Sequence, residues 1–326
     1  MNEDELVRAL REIVEHNPGK KPLLGIGDDA AGWRPSRSHV SVISCDALIE
    51  GVHFTMEMPA VDIGHRAMAA NLSDIAAMGA RPVLATIALG IPAHVSTDTI
   101  LEIYRGMAAL AGSSQTTIVG GDIVTAPVLV LSITIVGEVR ATHLKRRSGA
   151  RPGDILAVTG PLGASRAGLE LSASPTALNG ELRTQALQAH RHPIPRLREG
   201  AWLAASAYVH AMMDISDGLS TDLARLCAQS ACGAVIEDVP IAPCARAVAE
   251  FRGEDPAIYA LAGGEDFELA VAVQPRAFGY LAGRYRKHFG ADLIAVGRFN
   301  SGKGVLTRDG DEKRELAATG WDHLKR

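Results

Sequence analysis

The stretch Ile63–Leu89, IGHRAMAANLSDIAAMGARPVLATIAL, changes its hydrophobic period part-way along. Up to Met78 it is alanine-rich with helical spacing, Gly79 and Pro82 stop it, and Val83–Leu89 then reads as a strand. Working outward, Val40–Ser44 reads as a strand ending at Asp46, and Thr99–Leu110 as a helix. Thr116–Val119 is a short strand running into Gly120-Gly121-Asp122, and Val128–Val139 a long one. This order predicts an α+β sandwich with a ferredoxin-like pattern. Upstream, Leu6–Val14 has helical spacing and Asn17–Pro22 stops it, which leaves Gly25-Ile-Gly-Asp-Asp-Ala-Ala31 in a loop.

At 326 residues the chain exceeds the usual single-domain size, so two domains of roughly 150 residues are expected. Lys145–Gly153 combines basic residues, glycines and a proline and is the best boundary, placing domains at 1–150 and 151–326. Beyond it, strands at Ile155–Val158, His210–Met213 and Phe267–Val273 interleave with helical segments at Ala164–Leu171, Leu182–His190, Leu197–Ala207 and Leu219–Ala228. A second α/β layer is implied. A faint echo links the halves. Asp74 precedes Gly120-Gly121-Asp122, and Asp217 precedes Gly263-Gly264-Glu265-Asp266, with a spacing of 46 residues to the first glycine in each case. A duplicated unit and chance are both open readings.

Composition narrows the function. A formal charge of -4, from 33 basic against 37 acidic residues, offers no general basic surface for nucleic acid. The four cysteines, Cys45, Cys227, Cys232 and Cys244, form no C-x-x-C pair; they read as free thiols in a reducing, cytoplasmic setting. The acidic N-terminus has no signal-peptide pattern, and the apolar run Val128–Val136 is too short to cross a membrane.

Carboxylates recur at strand and loop ends beside small residues: Asp28, Asp29, Asp46, Asp74, Asp122, Asp214 and Asp217, with Glu265 and Asp266 behind them. If several converge, protons or divalent cations must relieve their repulsion, and an all-oxygen set suits magnesium or manganese. Each acid alone also has a plain reading as an Asx-turn, a solvated helix residue or a helix cap. Gly297-Arg-Phe-Asn-Ser-Gly302-Lys303 matches the spacing of a P-loop, but Gly304 stands where a hydroxyl residue should hold magnesium and a strand follows. It is expected to be a hairpin turn.

Six blocks, read in order, closely resemble the thiamine-monophosphate kinase family across almost the whole chain. They are Gly25–Ala30, Asp46-Ala-Leu-Ile-Glu-Gly-Val-His-Phe54, Asn71–Ala80, Gly120-Gly-Asp122, Asp214-Ile-Ser-Asp-Gly-Leu219 and Gly263-Gly-Glu-Asp-Phe-Glu-Leu269. The wider superfamily includes aminoimidazole ribonucleotide synthetase and selenophosphate synthetase. The resemblance implies an N-terminal α/β half that dimerises through a β-barrel, a C-terminal α/β half, and ATP between them. It implies that Asp29, Asp46, Asp74, Asp122 and Asp214 hold magnesium ions, with Ser44 and the Cys45 backbone nearby and Asp217 on a further ion. Cys45 stands where the family more commonly has threonine, so a backbone carbonyl is the remaining ligand there. Tyr104, Gly121, Asp122, Arg146 and Ser216 would contact ATP, and His53, Glu265 and Trp321 the thiamine phosphate. Arg146 as a linker charge and His53 as a structural imidazole remain open. Trp321 follows Gly320 near the end of a chain that is only 4% aromatic, where a stacking role on a cationic ring would account for it.

The implied reaction is direct in-line transfer from ATP to thiamine monophosphate, giving thiamine diphosphate in a homodimer with no nucleic-acid or membrane partner. A phosphate monoester is largely ionised at neutral pH, so no general base is assigned. A sister synthetase of the superfamily and a non-catalytic sensor of ATP or thiamine phosphates are the competing readings. The first is disfavoured because the chain lacks both an N-terminal reactive cysteine and a C-terminal one.

Overall fold

A computed structural model of the protein describes residues 31–36, 38–173, 178, 180–309, 312–321 and 324. The expected helix at Leu6–Val14 and the loop carrying Asp28 and Asp29 lie outside the described residues. The chain forms two α+β halves, each built on its own sheet.

The first half contains β1 (Ala31–Ser36), β2 (His39–Ile49), α1 (Ala60–Ala77), β3 (Arg81–Ile91), α2 (Thr97–Ser113), β4 (Thr117–Thr125) and β5 (Val130–Arg140). Its strand order is β1-β2-β5-β3-β4. β5 runs antiparallel to both β2 and β3, while β3 and β4 are parallel neighbours joined through α2. The order therefore departs from the ferredoxin-like pattern, in which both crossovers are split by a strand. Alternating strands and helices set the number of crossovers but not which strands end up side by side. On β5 every second residue, Leu131, Ile133 and Ile135 among them, is buried against the helices, as a one-sided sheet requires.

The second half contains β6 (Ile155–Val158), α3 (Ala164–Ala173), α4 (Glu181–Arg191), α5 (Leu197–Ala204), β7 (Val209–Asp214), α6 (Leu219–Ser230) and β8 (Gly233–Ile236). It continues with α7 (Pro243–Arg252), α8 (Pro256–Leu261), β9 (Leu269–Val273), α9 (Pro275–Phe289), β10 (Ile294–Asn300), β11 (Gly304–Asp309) and β12 (Glu312–Glu315). Its mixed sheet has the order β12-β11-β8-β10-β6-β9-β7. Both faces are covered: on β6, Leu156 and Val158 enter one apolar cluster and Ala157 enters another. The expected hairpin at Gly297–Lys303 is a turn without a hairpin, because β8 lies between β10 and β11 and pairs with each.

The halves are joined by packing as well as by the chain. Ala76 and Ala77, at the end of α1, belong to the second half's core together with Leu203 and Met212. The crossing segment is itself held in place, since the buried Lys145 ammonium donates to the carbonyls of Ser206 (3.0 Å) and Val209 (2.8 Å). This seam matters because α1 carries Ser73 and Asp74 up to the end of β7. Among the described residues no helix is long and apolar enough to cross a membrane.

Candidate active site

A cavity of about 770 Å³ opens between the halves, lined from the first by Asp46, His53, Phe54, Met58 and Asp74 and from the second by Asp214, Ser216, Asp217, Glu265 and Trp321. Local structure explains each position. The pleat of β2 places Ser44 and Asp46 on the same face. The Asp46 N–H donates to Asn71 Oδ1 of α1 at 3.1 Å, and the Ser44 hydroxyl donates to Asp74. Cys45 falls on the other face, exposed, with its Sγ 3.6 Å from Ser132 Oγ. Its thiol is therefore turned away from the acids.

Across the seam, Ser73 Oγ donates to Asp214 Oδ2 at 2.7 Å. Burial, followed by the charges of Asp46 and Asp214, raises Asp74 well above the usual carboxylate range. Asp214 is raised too, again mainly by burial. Among the described residues Asp74 has a hydroxyl partner and no ion pair with a lysine, arginine or histidine. A buried acid held by a hydroxyl and beside other acids is the kind of group whose charge a hard divalent cation relieves.

Beyond β7 the chain turns through Ile215–Gly218. The buried Asp222 carboxylate accepts the N–H groups of Ser216 (3.0 Å) and Asp217 (2.9 Å), so Asp222 rather than Asp217 ties this loop to α6. Burial and the Asp217 charge push Asp222 up to about 8. Arg225 donates to both acids. The Gly263–Phe267 loop runs alongside, with Glu265 N–H on Ser216 O (2.7 Å) and Phe267 N–H on Ile215 O (3.0 Å). Glu265 and Phe267 adopt φ of 60° and 50°, a left-handed conformation that non-glycine residues enter at a cost and that clusters at functional sites. Asp266 is not part of the acid cluster facing the cavity. It accepts the Gly163 and Ser165 N–H groups (2.6 and 3.2 Å) at the start of α3, and burial pushes it up to about 7.

The substrate-binding candidates fall on the remaining walls. His53 Nδ1 accepts the Ile49 N–H at 3.0 Å, which leaves the ring proton of the neutral form on Nε2. Trp321 is half-exposed at the rim, with its backbone N–H donating to the Asp217 carbonyl at 3.1 Å. A Cβ on Gly320 would stand 1.9 Å from that same carbonyl, so only glycine lets the tail approach so closely.

Four proposed nucleotide contacts do not line this cavity. Gly121 and Asp122 are exposed on the edge strand β4, three strand positions from β2, or about 14 Å along the sheet. Tyr104 is half-buried on α2 against the first half's core, and Arg146 is exposed at the crossing. Asp29 lies outside the described residues. Conversely, the cavity is lined by His190 and Arg191 of α4, which sequence reasoning assigned no role. Burial, then the charge of Arg66, pulls His190 down to about 4, so it is neutral near pH 7. Among the described residues Arg191 Nε is buried without a partner. Ser73 carried a readable signal, since it lies inside the block Asn71–Ala80, and Asp222 stands three residues past the block that ends at Leu219; His190 and Arg191 carried none.

Comparison with known proteins places this geometry. Residues 27–139 match the model of the AIR synthase related protein, N-terminal domain, and residues 151–319 that of its C-terminal domain. The thiamine-monophosphate kinase of Synechococcus elongatus is 38% identical over 281 residues, covering 82% of this chain and 84% of its own. The chain belongs to the thiamine-monophosphate kinase family. The thiamine-monophosphate kinase of Escherichia coli strain K12 is 34% identical over 305 residues, 92% of each chain. Among solved structures, AaThiL complexed with AMPPCP and TMP superposes with a TM-score of 0.85 at 29% identity, covering 99% of this chain and 97% of that one. In this family member, both halves thus supply residues to one cavity.

The all-oxygen donors here are of the type a hard divalent cation takes, and they do not close around one. Among the described residues, no three His, Cys, Asp or Glu side chains form a group that could hold a metal ion by themselves. Magnesium usually binds through one or two carboxylates and takes its other ligands from water and substrate phosphates.

Proposed function

We propose that the protein transfers the γ-phosphoryl group of ATP directly to the phosphate of thiamine monophosphate, yielding ADP and thiamine diphosphate. The observation that carries this reading is the convergence of Asp46, Asp74, Asp214 and Asp217 with His53, Glu265 and Trp321 in one cavity between the halves of a family member. Asp46, Asp74, Asp214 and Asp217 would hold magnesium, with Asp29 and Asp122 as further ligands, Ser44 supporting Asp74 and the Cys45 carbonyl nearby. Bound magnesium would offset the negative charge of the two phosphate-bearing reactants and stabilise charge in the transition state.

Ser216 faces the cavity and would contact ATP together with Tyr104, Gly121, Asp122 and Arg146. His53, with its proton on Nε2, would donate to an acceptor oxygen. Glu265 would accept from the acceptor's amino group, and Trp321 would cover its ring. The acceptor phosphate is largely ionised at neutral pH, so its oxygen attacks without a general base. We assign residues 1–150 to nucleotide binding and dimerisation and residues 151–326 to completing the site. The exposed apolar row Val119, Ile123 and Val124 on β4 supports pairing with a second copy, with Gly121 and Asp122 drawn into that interface. The thiols of Cys227, Cys232 and Cys244 are free and buried, in keeping with a reducing cytoplasm.

ADP release from magnesium-ATP with thiamine, thiamine monophosphate or no acceptor tests the reading. Turnover that requires thiamine monophosphate, with thiamine diphosphate recovered by chromatography, is expected; tight nucleotide binding without it would sink the assignment. Inversion at a chiral γ-phosphorus is expected for direct transfer, and retention would reveal a phosphoenzyme.

A further inference from the structure

Arg66 of α1 is buried, with a side chain only 2% exposed, and does not itself line the cavity. Its Nη2 donates to both carboxylate oxygens of Glu265 at 2.6 Å. Its Nη1 donates to the backbone carbonyl of His53 at 2.9 Å. Glu265 comes from the second half and His53 from the loop after β2, so one guanidinium ties together opposite walls of the cavity.

We infer that Arg66 is the positioning residue of the acceptor pocket, fixing the aim of Glu265 and its separation from His53. Three observations carry this. Glu265 sits at a φ of 60°, a conformation that persists only where surrounding contacts over-determine it. The other basic side chain beside it, His190, stands 3.8 Å away and is neutral near pH 7, so among the described residues Arg66 is the full positive charge paired with that carboxylate. A planar guanidinium can also serve two oxygens on one side and a carbonyl on the other, which a point-charge ammonium cannot do in the same geometry.

A specificity follows. A carboxylate offers about four acceptor sites, and Arg66 takes one on each oxygen of Glu265. The remaining sites suit a neutral N–H donor such as the amino group of an aminopyrimidine. The Arg66 charge meanwhile damps the carboxylate's pull on cations in general. Arg66 thus makes Glu265 a reader of a donor group rather than a general cation trap.

This inference rests on the proposed reaction, and one steady-state experiment separates the two. With wild type, Arg66→Met, Arg66→Lys, Glu265→Gln and Arg66→Met/Glu265→Gln, KM for thiamine monophosphate, KM for ATP and kcat are measured together with the melting temperature. Arg66→Met is expected to raise the acceptor KM at least tenfold while the ATP KM stays within twofold. Arg66→Lys should fall between it and wild type. The double variant should be no more than twofold worse than Glu265→Gln alone, because Arg66 acts through that carboxylate. Should Arg66→Met fail to fold, Arg66→Lys reads the same split with the charge retained, and a rise of threefold or more in acceptor KM alone is expected. An active wild type whose folded Arg66 variants keep the acceptor KM, or lose both KM values equally, overturns the positioning role and leaves the reaction standing. A wild type without turnover on thiamine monophosphate overturns both.

Discussion

Gly120-Gly121-Asp122 lies within an edge strand whose residues from Gly120 to Thr125 are all exposed, whereas Gly263-Gly264-Glu265-Asp266 is folded into a loop bonded to the exit of β7. Their companions differ as well. Ser73-Asp74 is inside a helix, and Ser216-Asp217 is in the turn before one. The shared spacing of 46 residues therefore joins elements that are not equivalent, and it gives no support to a duplicated unit. Similar letters were placed in one half for a surface and in the other for a cavity wall. What differs is which backbone and which countercharge each acid meets.

The sharpest way to break this comparison is at the companions. Asp74 has no paired cation among the described residues, whereas Asp217 already faces Arg225. Asp74→Asn is expected to lower kcat by about a thousandfold, in the range seen when one electrostatic group of a reactive site is removed. Asp217→Asn should cost only about tenfold on the same scale. Equal losses in the phosphorylation assay would show that Arg225 does not distinguish them.

A second test concerns the environment of the Glu265 loop. His190 titrates at about 4 rather than the ordinary 6.5, so between these values the unfolded chain takes up a proton that the folded chain refuses. Stability is then complete above about pH 6.5 and is lost as pH falls toward 4, by up to ~3 kcal/mol from this group. His190→Gln removes the dependence. Its melting temperature relative to wild type should rise as pH is lowered from 7 to 4.5, and a constant difference would refute the buried neutral state.

The Gly120-Gly121 pair can be divided by two single substitutions. A Cβ at Gly121 would stand 1.7 Å from the Ile87 carbonyl oxygen, while one at Gly120 meets nothing within 4 Å. Gly121→Ala is expected to destabilise by about 2 kcal/mol through overpacking, and Gly120→Ala by less than about 0.5 kcal/mol, read from denaturant titrations. Smallest in its effect on folding is Ile123→Lys on exposed β4. It should leave the melting temperature nearly unchanged while shifting the proposed dimer toward monomer in sedimentation; an unshifted dimer would place the interface elsewhere.

Several candidate site residues were legible, most because they occur in short local blocks and Trp321 because it is a rare aromatic after Gly320. Asp46, His53, Asp74, Asp214, Ser216, Asp217, Glu265 and Trp321 all reach the cavity. Asp266 stands in the same block as Glu265, yet the reversal of φ at Glu265 and Phe267 sends it to the start of α3 instead. Arg66 was invisible for a different reason, since its partner Glu265 is 199 residues away and a lone arginine on a helix face reads as solvated.

Local periodicity determined which segments became strands and helices, and the residue types determined that the site would be oxygen-rich. Both depend on neighbours within a few positions along the chain. The tertiary structure alone decided that β5 would separate β2 from β3, that β8 would separate β10 from β11, and that Ser73 would meet Asp214 across 141 residues. It also decided which carboxylates received a cation, a hydroxyl or a backbone N–H. Those outcomes depend on through-space contacts and burial, which no local pattern encodes.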